Sequence, residues 1–242
     1  MRITRSCGSL FGLGIHHLCS PEARLLAFEV IWKHKSGPAR LVPLCHQKGH
    51  NNAGFGSTMR IISGKFKSRR LKGTPPPGVR PTSDKLRETL FNVLGTRVEG
   101  AIFLDGCAGA GAIGIEALSR GAGFVFFIEQ SRKACQIIRE NLKALEIREG
   151  FKNMETDLIK ALSGLHMRFD IAFVDPPYDR EDLYERVLDM FGSTPLLAAD
   201  GLLILEHSKR KMLPETSGRL GKIRSLVQGD AALAFYSSLE DA

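Results

Sequence analysis

A glycine-rich stretch with an acidic residue at its start is the part of the sequence best suited to chemistry. Asp105 is followed by Gly109, Gly111 and Gly114, which form a G-x-G-x-x-G pattern. Between a strand and a helix, such a pattern lets the backbone approach a nucleotide or nucleoside closely. The pattern alone fits a dinucleotide as well as S-adenosylmethionine (SAM), so the surrounding residues must distinguish the two ligands.

Of two carboxylates near this loop, Glu129 fits a dinucleotide and SAM equally well, whereas Asp105 favours SAM. Glu129 stands 20 residues beyond Gly109, at the end of the next predicted strand. A carboxylate in that position can accept hydrogen bonds from ribose hydroxyls. Asp105 directly precedes the loop, where a negative charge would repel a pyrophosphate but would suit the ammonium group of a methionine moiety.

The tetrapeptide DPPY, Asp175–Tyr178, predicts a site for an exocyclic amine. Its two prolines stiffen the turn and remove backbone donors, so the carbonyls can face a pocket. The Asp175 carboxylate and the Pro176 carbonyl could accept the hydrogens of the amine and aim its lone pair at a methyl donor. Tyr178 offers a ring on which a base can stack. The alternative interpretation is a turn that simply ends a strand.

Strands and helices alternate after residue 98, which predicts an α/β fold with a mostly parallel sheet covered by helices on both faces. The apolar segments AIFLD, FVFFIE, DIAFVD and GLLILEH predict strands. Two more strands, near 222–228 and 232–238, predict a terminal hairpin with one antiparallel strand. Ligands of such sheets bind at the carboxyl ends of strands, where the strand order reverses.

The net charge of +8 is distributed unevenly over the 242 residues. Residues 1–58 contain seven basic and two acidic residues, residues 59–97 contain ten and two, and residues 98–242 contain 17 and 22. A basic segment before an acidic body indicates either a nucleic-acid contact or a solvated basic face. We divide the chain into a leader (1–58) that is disordered or precedes the true start, a basic arm and helix (59–97) and a catalytic domain (98–242).

Cysteine spacing and hydropathy restrict the class of protein. The five cysteines are irregularly spaced and form no C-x-x-C pattern, which fits a reducing cytoplasm better than a disulfide framework. No apolar run approaches the roughly 20 residues that cross a bilayer. We therefore expect a cytoplasmic protein without a membrane partner and without a metal, and the sequence does not indicate its oligomeric state.

From Met59 onwards, the chain resembles the RsmD-type methyltransferases, which modify the N2 amine of a guanine in 16S rRNA of the small ribosomal subunit. The resemblance rests on the segments MRIISGKFKSRRL, RPTSDKLRETLFNVL, DGCAGAGAIGIEALSRGA, FIEQS, DIAFVDPPY and GDAALAFY. It implies a Rossmann-like class I methyltransferase fold with a small basic N-terminal arm. It also implies SAM as the methyl donor and 16S rRNA, within an assembling small subunit, as the partner.

The resemblance implies a role for three sets of residues. The implied SAM contacts are Asp105, Gly109, Gly111, Glu129 and Asp157, the last against the adenine edge. The residues at the target amine are Asp175, Pro176 and Tyr178. The substrate-binding residues are Arg80, Thr82 and Arg87, together with the phosphate contacts Lys65, Lys67, Arg69 and Arg70. Arg87 could equally be a solvated helix residue.

One departure and three rival functions follow from the same residues. Gly106 and Cys107 replace bulky apolar residues of the family pattern D-L-F-A-G-S-G, which puts cofactor affinity in question rather than the chemistry. A DNA adenine-N6 methyltransferase would use the same DPPY pocket, although the chain has no room for a large target-recognition domain. A glutamine-N5 protein methyltransferase would more typically carry Asn at position 175. A catalytically idle RNA-binding assembly factor would need neither DPPY nor Glu129.

Overall fold

Eight strands form one sheet in the computed structural model, which describes residues 59–73, 84–177 and 180–239. The strands are β1 (Ile102–Gly106), β2 (Phe124–Glu129), β3 (Phe151–Glu155), β4 (Phe169–Val174), β5 (Leu197–Ser208), β6 (Thr216–Ser217), β7 (Leu220–Gln228) and β8 (Ala231–Ser238). Their order is β3-β2-β1-β4-β5-β8-β7-β6. Strands β1 to β5 are parallel, whereas β8 is antiparallel to both β5 and β7. The predicted mostly parallel sheet with an antiparallel terminal strand is confirmed.

Five α-helices connect or flank these strands within the described ranges. They are α1 (Asp84–Leu94), α2 (Ala112–Ser119), α3 (Arg132–Ala144), α4 (Leu158–Gly164) and α5 (Glu181–Ser193), with a short 3-10 helix at Gly95–Val98. Ser131 caps α3 by accepting a hydrogen bond from the Ala134 amide at 3.3 Å, as side-chain oxygens do at helix starts. None of the described helices has the length and hydropathy needed to span a membrane.

Both faces of the sheet are buried at its central strands. On one face, Phe103 and Phe127 share a core with apolar residues of α1, α2 and α3. The alternate residues Leu104 and Phe126 point to the opposite face, because successive side chains of a strand alternate, and they are 0% exposed as well. Strands buried on both sides are continuously apolar, which explains why the sequence identified them.

The basic arm, residues 59–73, is anchored in the same core as the sheet. Ile61 and Leu71 are buried in the cluster that contains Phe91 of α1 and Phe103 of β1, and these two rings stack at 6.3 Å between centroids. The arm contains six Lys or Arg residues and no Asp or Glu. Its apolar side chains therefore fix a strongly basic segment against the body of the protein.

Glu116 of α2 holds the arm through its backbone. This fully buried carboxylate accepts hydrogen bonds from the amides of Ile62 and Ser63 at 2.7 and 3.0 Å. It also pairs with Nε of Arg120 at 2.7 Å, and the Arg120 guanidinium lies 4.8 Å from the centre of the Phe91 ring. These three donors compensate the charge of the buried carboxylate. Because two of them belong to the arm, the arm and α2 stabilise each other.

Gly114 allows α2 to lie directly on β2, and we expect Gly114→Ala to destabilise the fold. A Cβ atom there would overlap the Phe127 ring and lie 2.9 Å from Val125 Cγ1. Overpacking typically costs about 1–3 kcal/mol, which exceeds the roughly 1 kcal/mol that alanine gains over glycine in a helix. The measurement is the free energy of unfolding in urea. Gly164→Ala is the matched control, because its Cβ would meet nothing within 4 Å; an equal effect of both substitutions would contradict the packing role.

Candidate active site

The glycine loop and the DPP turn meet where the strand order reverses. Strands β1 and β4 are neighbours in the sheet, although β2 and β3 separate them in the sequence. The loop follows β1, the turn follows β4, and the Asp175 amide donates to the Gly106 carbonyl at 3.2 Å. The structure thus brings Asp175 and Pro176 beside the loop. Tyr178 lies outside the described residues.

Asp105 lies under the loop and is buried, with 2% of its surface exposed. Its Oδ2 atom accepts a hydrogen bond from the Gly114 amide at 2.8 Å. Burial raises the pKa of Asp105 to about 8, and the negative charge of Glu129 contributes to the increase. The sequence interpretation assumed a charged carboxylate. In this structure the group holds a proton near neutral pH, and a cationic ligand group beside it would favour ionisation.

The raised pKa of Asp105 predicts a pH-dependent stability. The unfolded carboxyl loses its proton near pH 3.8, whereas the folded one keeps it up to about pH 8. Between these values the folded state binds more protons, so the free energy of unfolding should fall as pH rises, by at most about 1.4 kcal/mol per unit. Asp105→Asn removes this titration while preserving the shape. We expect Asp105→Asn to gain stability relative to wild type as the pH rises from 5 to 8, and the difference between them to stay constant above pH 8. Urea unfolding at each pH measures it, and a pH-independent difference would contradict the assignment.

Three residues of the loop have left-handed backbone conformations, Cys107 at φ 59°, Gly109 at 54° and Gly111 at 77°. A Cβ atom at Gly109 would meet nothing within 4 Å, whereas one at Gly111 would lie 3.0 Å from Ile138. Gly109 therefore faces open space in which a ligand could lie, and Gly111 permits close packing on α3. The left-handed backbone favours glycine at both positions, and the close packing on α3 is a second reason at Gly111.

Glu129 ends β2 with its carboxylate already oriented by the backbone. Its two oxygens accept hydrogen bonds from the amides of Gly109 at 2.9 Å and Ser131 at 2.7 Å. Each oxygen retains a further lone pair for a hydroxyl donor. The Thr156 amide donates to the Glu129 carbonyl at 3.0 Å, which brings Asp157 to the same edge. Asp157 caps α4 by accepting from the Lys160 amide at 3.0 Å.

The charges of four carboxyl groups of the candidate site act on the thiol of Cys107. Burial raises the pKa of the Cys107 thiol far above its usual value, and Glu129, Asp175, Asp105 and Asp157 raise it further. A thiol with this pKa is protonated and is not a nucleophile. The acidic site suits a cationic ligand better than a pyrophosphate. No group of three or more His, Cys, Asp or Glu residues in the described segments is arranged to hold a metal.

The four predicted phosphate contacts are exposed, and Arg87 is not. The arm presents Lys65, Lys67, Arg69 and Arg70 at its surface. Arg87 is 0% exposed, and its Nη2 atom donates to the Arg60 carbonyl at 2.6 Å and to Asp84 at 2.9 Å. In this arrangement it is neither solvated nor presented to RNA, because it braces α1 against the arm. Arg80 and Thr82 lie outside the described residues.

Two residues that the sequence analysis did not identify contact the site. Asn141 of α3 is 1% exposed. It accepts from the Lys72 amide at 2.7 Å and donates to the carbonyls of Lys72 at 2.9 Å and Ala110 at 3.2 Å. Tyr184 of α5 has its hydroxyl 3.4 Å from the Pro176 carbonyl. A polar residue on the apolar stripe of α3 was a usable signal for Asn141, whereas Tyr184 resembles an ordinary core residue.

Comparisons with known proteins agree with this geometry. The sequence profile of the family described as "Conserved hypothetical protein 95" matches residues 59–237. Ribosomal RNA small subunit methyltransferase D of Escherichia coli strain K12 is 34% identical over 189 residues, which cover 78% of this chain and 94% of that protein. YlbH of Bacillus subtilis, provisionally named an rRNA methyltransferase, is 38% identical over 181 residues, covering 74% of this chain and 98% of that protein.

Solved structures of methyltransferases also resemble this chain. The E. coli protein yhhF, provisionally named a methyltransferase, matches with a TM-score of 0.66 and 31% identity over 75% of this chain and 98% of its own. The T. thermophilus 16S rRNA N2 G1207 methyltransferase RsmC has a TM-score of 0.56 and 20% identity, over 75% of this chain and 49% of its own, and thus shares the fold alone. The chain therefore belongs to the Conserved hypothetical protein 95 family, that of the RsmD-type methyltransferases, and is a methyltransferase of the class I fold.

Proposed function

We propose that this protein transfers a methyl group from SAM to the exocyclic N2 amine of a guanine in 16S rRNA, in the cytoplasm and within an assembling small ribosomal subunit. The observation that carries the proposal is the meeting of the DPP turn with the glycine loop at the reversal of strand order. The relatives named ribosomal RNA small subunit methyltransferase D support rRNA as the substrate class.

The residues around the loop fit SAM better than a dinucleotide. The first amides of a helix after a glycine loop are the groups that normally receive a pyrophosphate, but the Gly114 amide is already bonded to Asp105. The carboxyl groups of Asp105, Glu129 and Asp157 suit a ligand with an ammonium group, ribose hydroxyls and an adenine amine. Gly109 leaves open space beside them. When bound, SAM supplies a reactive methyl group on a positively charged sulfur.

Asp175 and Pro176 would prepare the target amine for attack. The amine of a base is a weak nucleophile, because its lone pair is delocalised into the ring. Two acceptors on its hydrogens, the Asp175 carboxylate and the Pro176 carbonyl, favour a tetrahedral nitrogen whose lone pair points at the methyl group. Asp175 is partly exposed, so the proton that leaves the methylated nitrogen can pass to water. Catalysis is then mostly positioning and electrostatics, and we assign base stacking to Tyr178.

The arm, with the helix that follows it, would hold the RNA backbone. Lys65, Lys67, Arg69 and Arg70 are exposed on a segment with no acidic residue. Such side chains bind phosphates and position the RNA without reading its sequence. We propose Arg80 and Thr82 as further substrate contacts. We also propose that residues 59–97 form a basic region that contacts RNA and that residues 98–242 form the catalytic domain. Arg87 would act indirectly, by fixing the arm.

Tritium transfer from labelled SAM tests the proposed function directly. The protein is incubated with unmethylated small ribosomal subunits, with naked 16S rRNA and with plasmid DNA, and the labelled product is digested to nucleosides. We expect label in N2-methylguanosine from RNA. Label in N6-methyladenine from DNA would overturn the partner and the target atom. An absence of transfer by a protein that still binds SAM would instead favour an idle scaffold.

A further inference from the structure

The hydroxyl of Tyr184 lies against the DPP turn. It is 3.4 Å from the Pro176 carbonyl oxygen and 3.3 Å from the Glu206 carbonyl oxygen of β5. The side chain is 1% exposed, so these groups meet in a dry environment where a hydrogen bond restricts motion strongly. The ring is also held in place, because the Lys211 ammonium lies 4.9 Å from its centre and pairs with Glu181 at 3.6 Å.

The orientation of the Pro176 carbonyl depends on one backbone angle. The proline ring fixes φ of Pro176, and the following proline restricts its ψ without fixing it. Rotation about ψ swings the carbonyl oxygen towards or away from the place that the target amine would occupy. A hydroxyl bonded to that oxygen limits this rotation. A carbonyl oxygen has two lone pairs, so it can accept from Tyr184 and from an amine together.

We propose that Tyr184 is a positioning residue for methyl transfer. Its hydroxyl, shared between the carbonyls of Pro176 and Glu206, holds the Pro176 carbonyl in the direction in which it accepts a hydrogen from the target amine. The inference rests on the proposed function, because it concerns the same amine pocket. It assigns to α5 an influence on the rate of the chemical step that acts through the Pro176 carbonyl.

The chain provides a matched control for the removal of this hydroxyl. Tyr236 of β8 is 0% exposed, and its hydroxyl donates to the Pro214 carbonyl at 2.8 Å. Tyr184→Phe and Tyr236→Phe therefore each delete one hydroxyl from a buried tyrosine that bonds a proline carbonyl. Only the first of these carbonyls belongs to the DPP turn, so a general loss of stability should appear in both variants and a loss of rate in one.

Steady-state and single-turnover methyl transfer to unmethylated small subunits distinguish the two roles. We expect Tyr184→Phe to lower kcat about tenfold, as the loss of one oriented hydrogen bond would. The KM for the subunit and the Kd for SAM should change less than about twofold, since ground-state binding is unaffected. Tyr236→Phe should keep the wild-type kcat. If the wild type is active and both variants have the same kcat, the role of Tyr184 is overturned and the proposed function is not. If the wild type is inactive, the proposed function itself is overturned.

A second measurement applies if Tyr184→Phe does not fold. The sequence contains three tyrosines, so wild-type protein labelled with 3-fluorotyrosine should give three fluorine resonances, assigned with Tyr178→Phe and Tyr236→Phe. S-adenosylhomocysteine and guanosine are then added as probes. We expect the Tyr184 resonance to shift and that of Tyr236 to remain. A Tyr184 resonance that stays fixed while that of Tyr178 moves would overturn the proposal.

Discussion

Asp175→Asn should reduce the rate of methyl transfer by about 10²- to 10³-fold while the protein stays folded. The substitution preserves the shape of the side chain but removes its charge and replaces one of its two acceptor oxygens with an NH₂ donor, so a single uncharged oxygen remains to accept a hydrogen from the target amine. Losses of this size are typical when one group that stabilises charge in a transition state is removed. The measurement is single-turnover transfer of tritium from SAM to unmethylated small subunits.

Asp170→Asn is the matched control for this substitution. Asp170 lies near the opposite end of the same strand, β4, and accepts a hydrogen bond from the Ile102 amide at 2.8 Å. Its replacement should lower stability without a comparable loss of rate. The affinity of Asp175→Asn for RNA should remain close to wild type, because the proposed phosphate contacts on the arm would supply most of it. If Asp175→Asn lost RNA binding as severely as it lost activity, its assignment to the chemical step would be wrong.

Glu116→Ala should destabilise the protein by about 3–5 kcal/mol and release the arm. The substitution leaves the Arg120 guanidinium without its buried partner, and removes the acceptor of the Ile62 and Ser63 amides. Breaking a buried ion pair by deleting one member carries a cost of this size. Urea unfolding measures the loss, and limited proteolysis within residues 59–73 should report the release of the arm. Weakened RNA binding at unchanged SAM affinity is expected wherever the variant remains folded.

Glu140→Ala controls for the loss of a carboxylate that pairs with the arm. Glu140 of α3 pairs with Lys72 at 3.1 Å, but its side chain is 41% exposed. Exposed pairs of this kind contribute about 0–1 kcal/mol. The two variants therefore remove similar chemistry at different depths. Similar losses of stability in both would show that burial of Glu116 does not determine its contribution.

The strands and the two loops that follow β1 and β4 could be predicted because their signals are local. Continuous apolar segments mark strands that are buried on both faces, and the glycine and proline patterns mark the loops that follow them. The start of β5 at Leu197 was not predicted, since exposed Ala199 and Asp200 interrupt its apolar pattern. The two-residue strand β6 is too short to give a pattern at all.

The roles of several polar residues depend on partners that are distant in the sequence. Arg87 is charged and lies in a helix, so exposure was a reasonable expectation. Its partner, the Arg60 carbonyl, is 27 positions away in the chain. The Asp105 carboxyl likewise looked ionised, but in the folded chain its burial, together with the charge of Glu129, raises its pKa. Sequence patterns identify which residues gather at a site, but tertiary contacts determine their protonation and their exposure.

The side chain of Asn141 joins the end of the arm to the glycine loop, so these two segments should open together. The Lys72 amide donates to Asn141, and the same carboxamide donates to the Ala110 carbonyl. Neighbouring segments that share such a bond tend to open as one cooperative unit. The Lys72 amide should therefore exchange slowly with deuterated solvent, and more slowly still when SAM occupies the loop. Its exchange rate would report, from the arm, whether a ligand occupies the glycine loop.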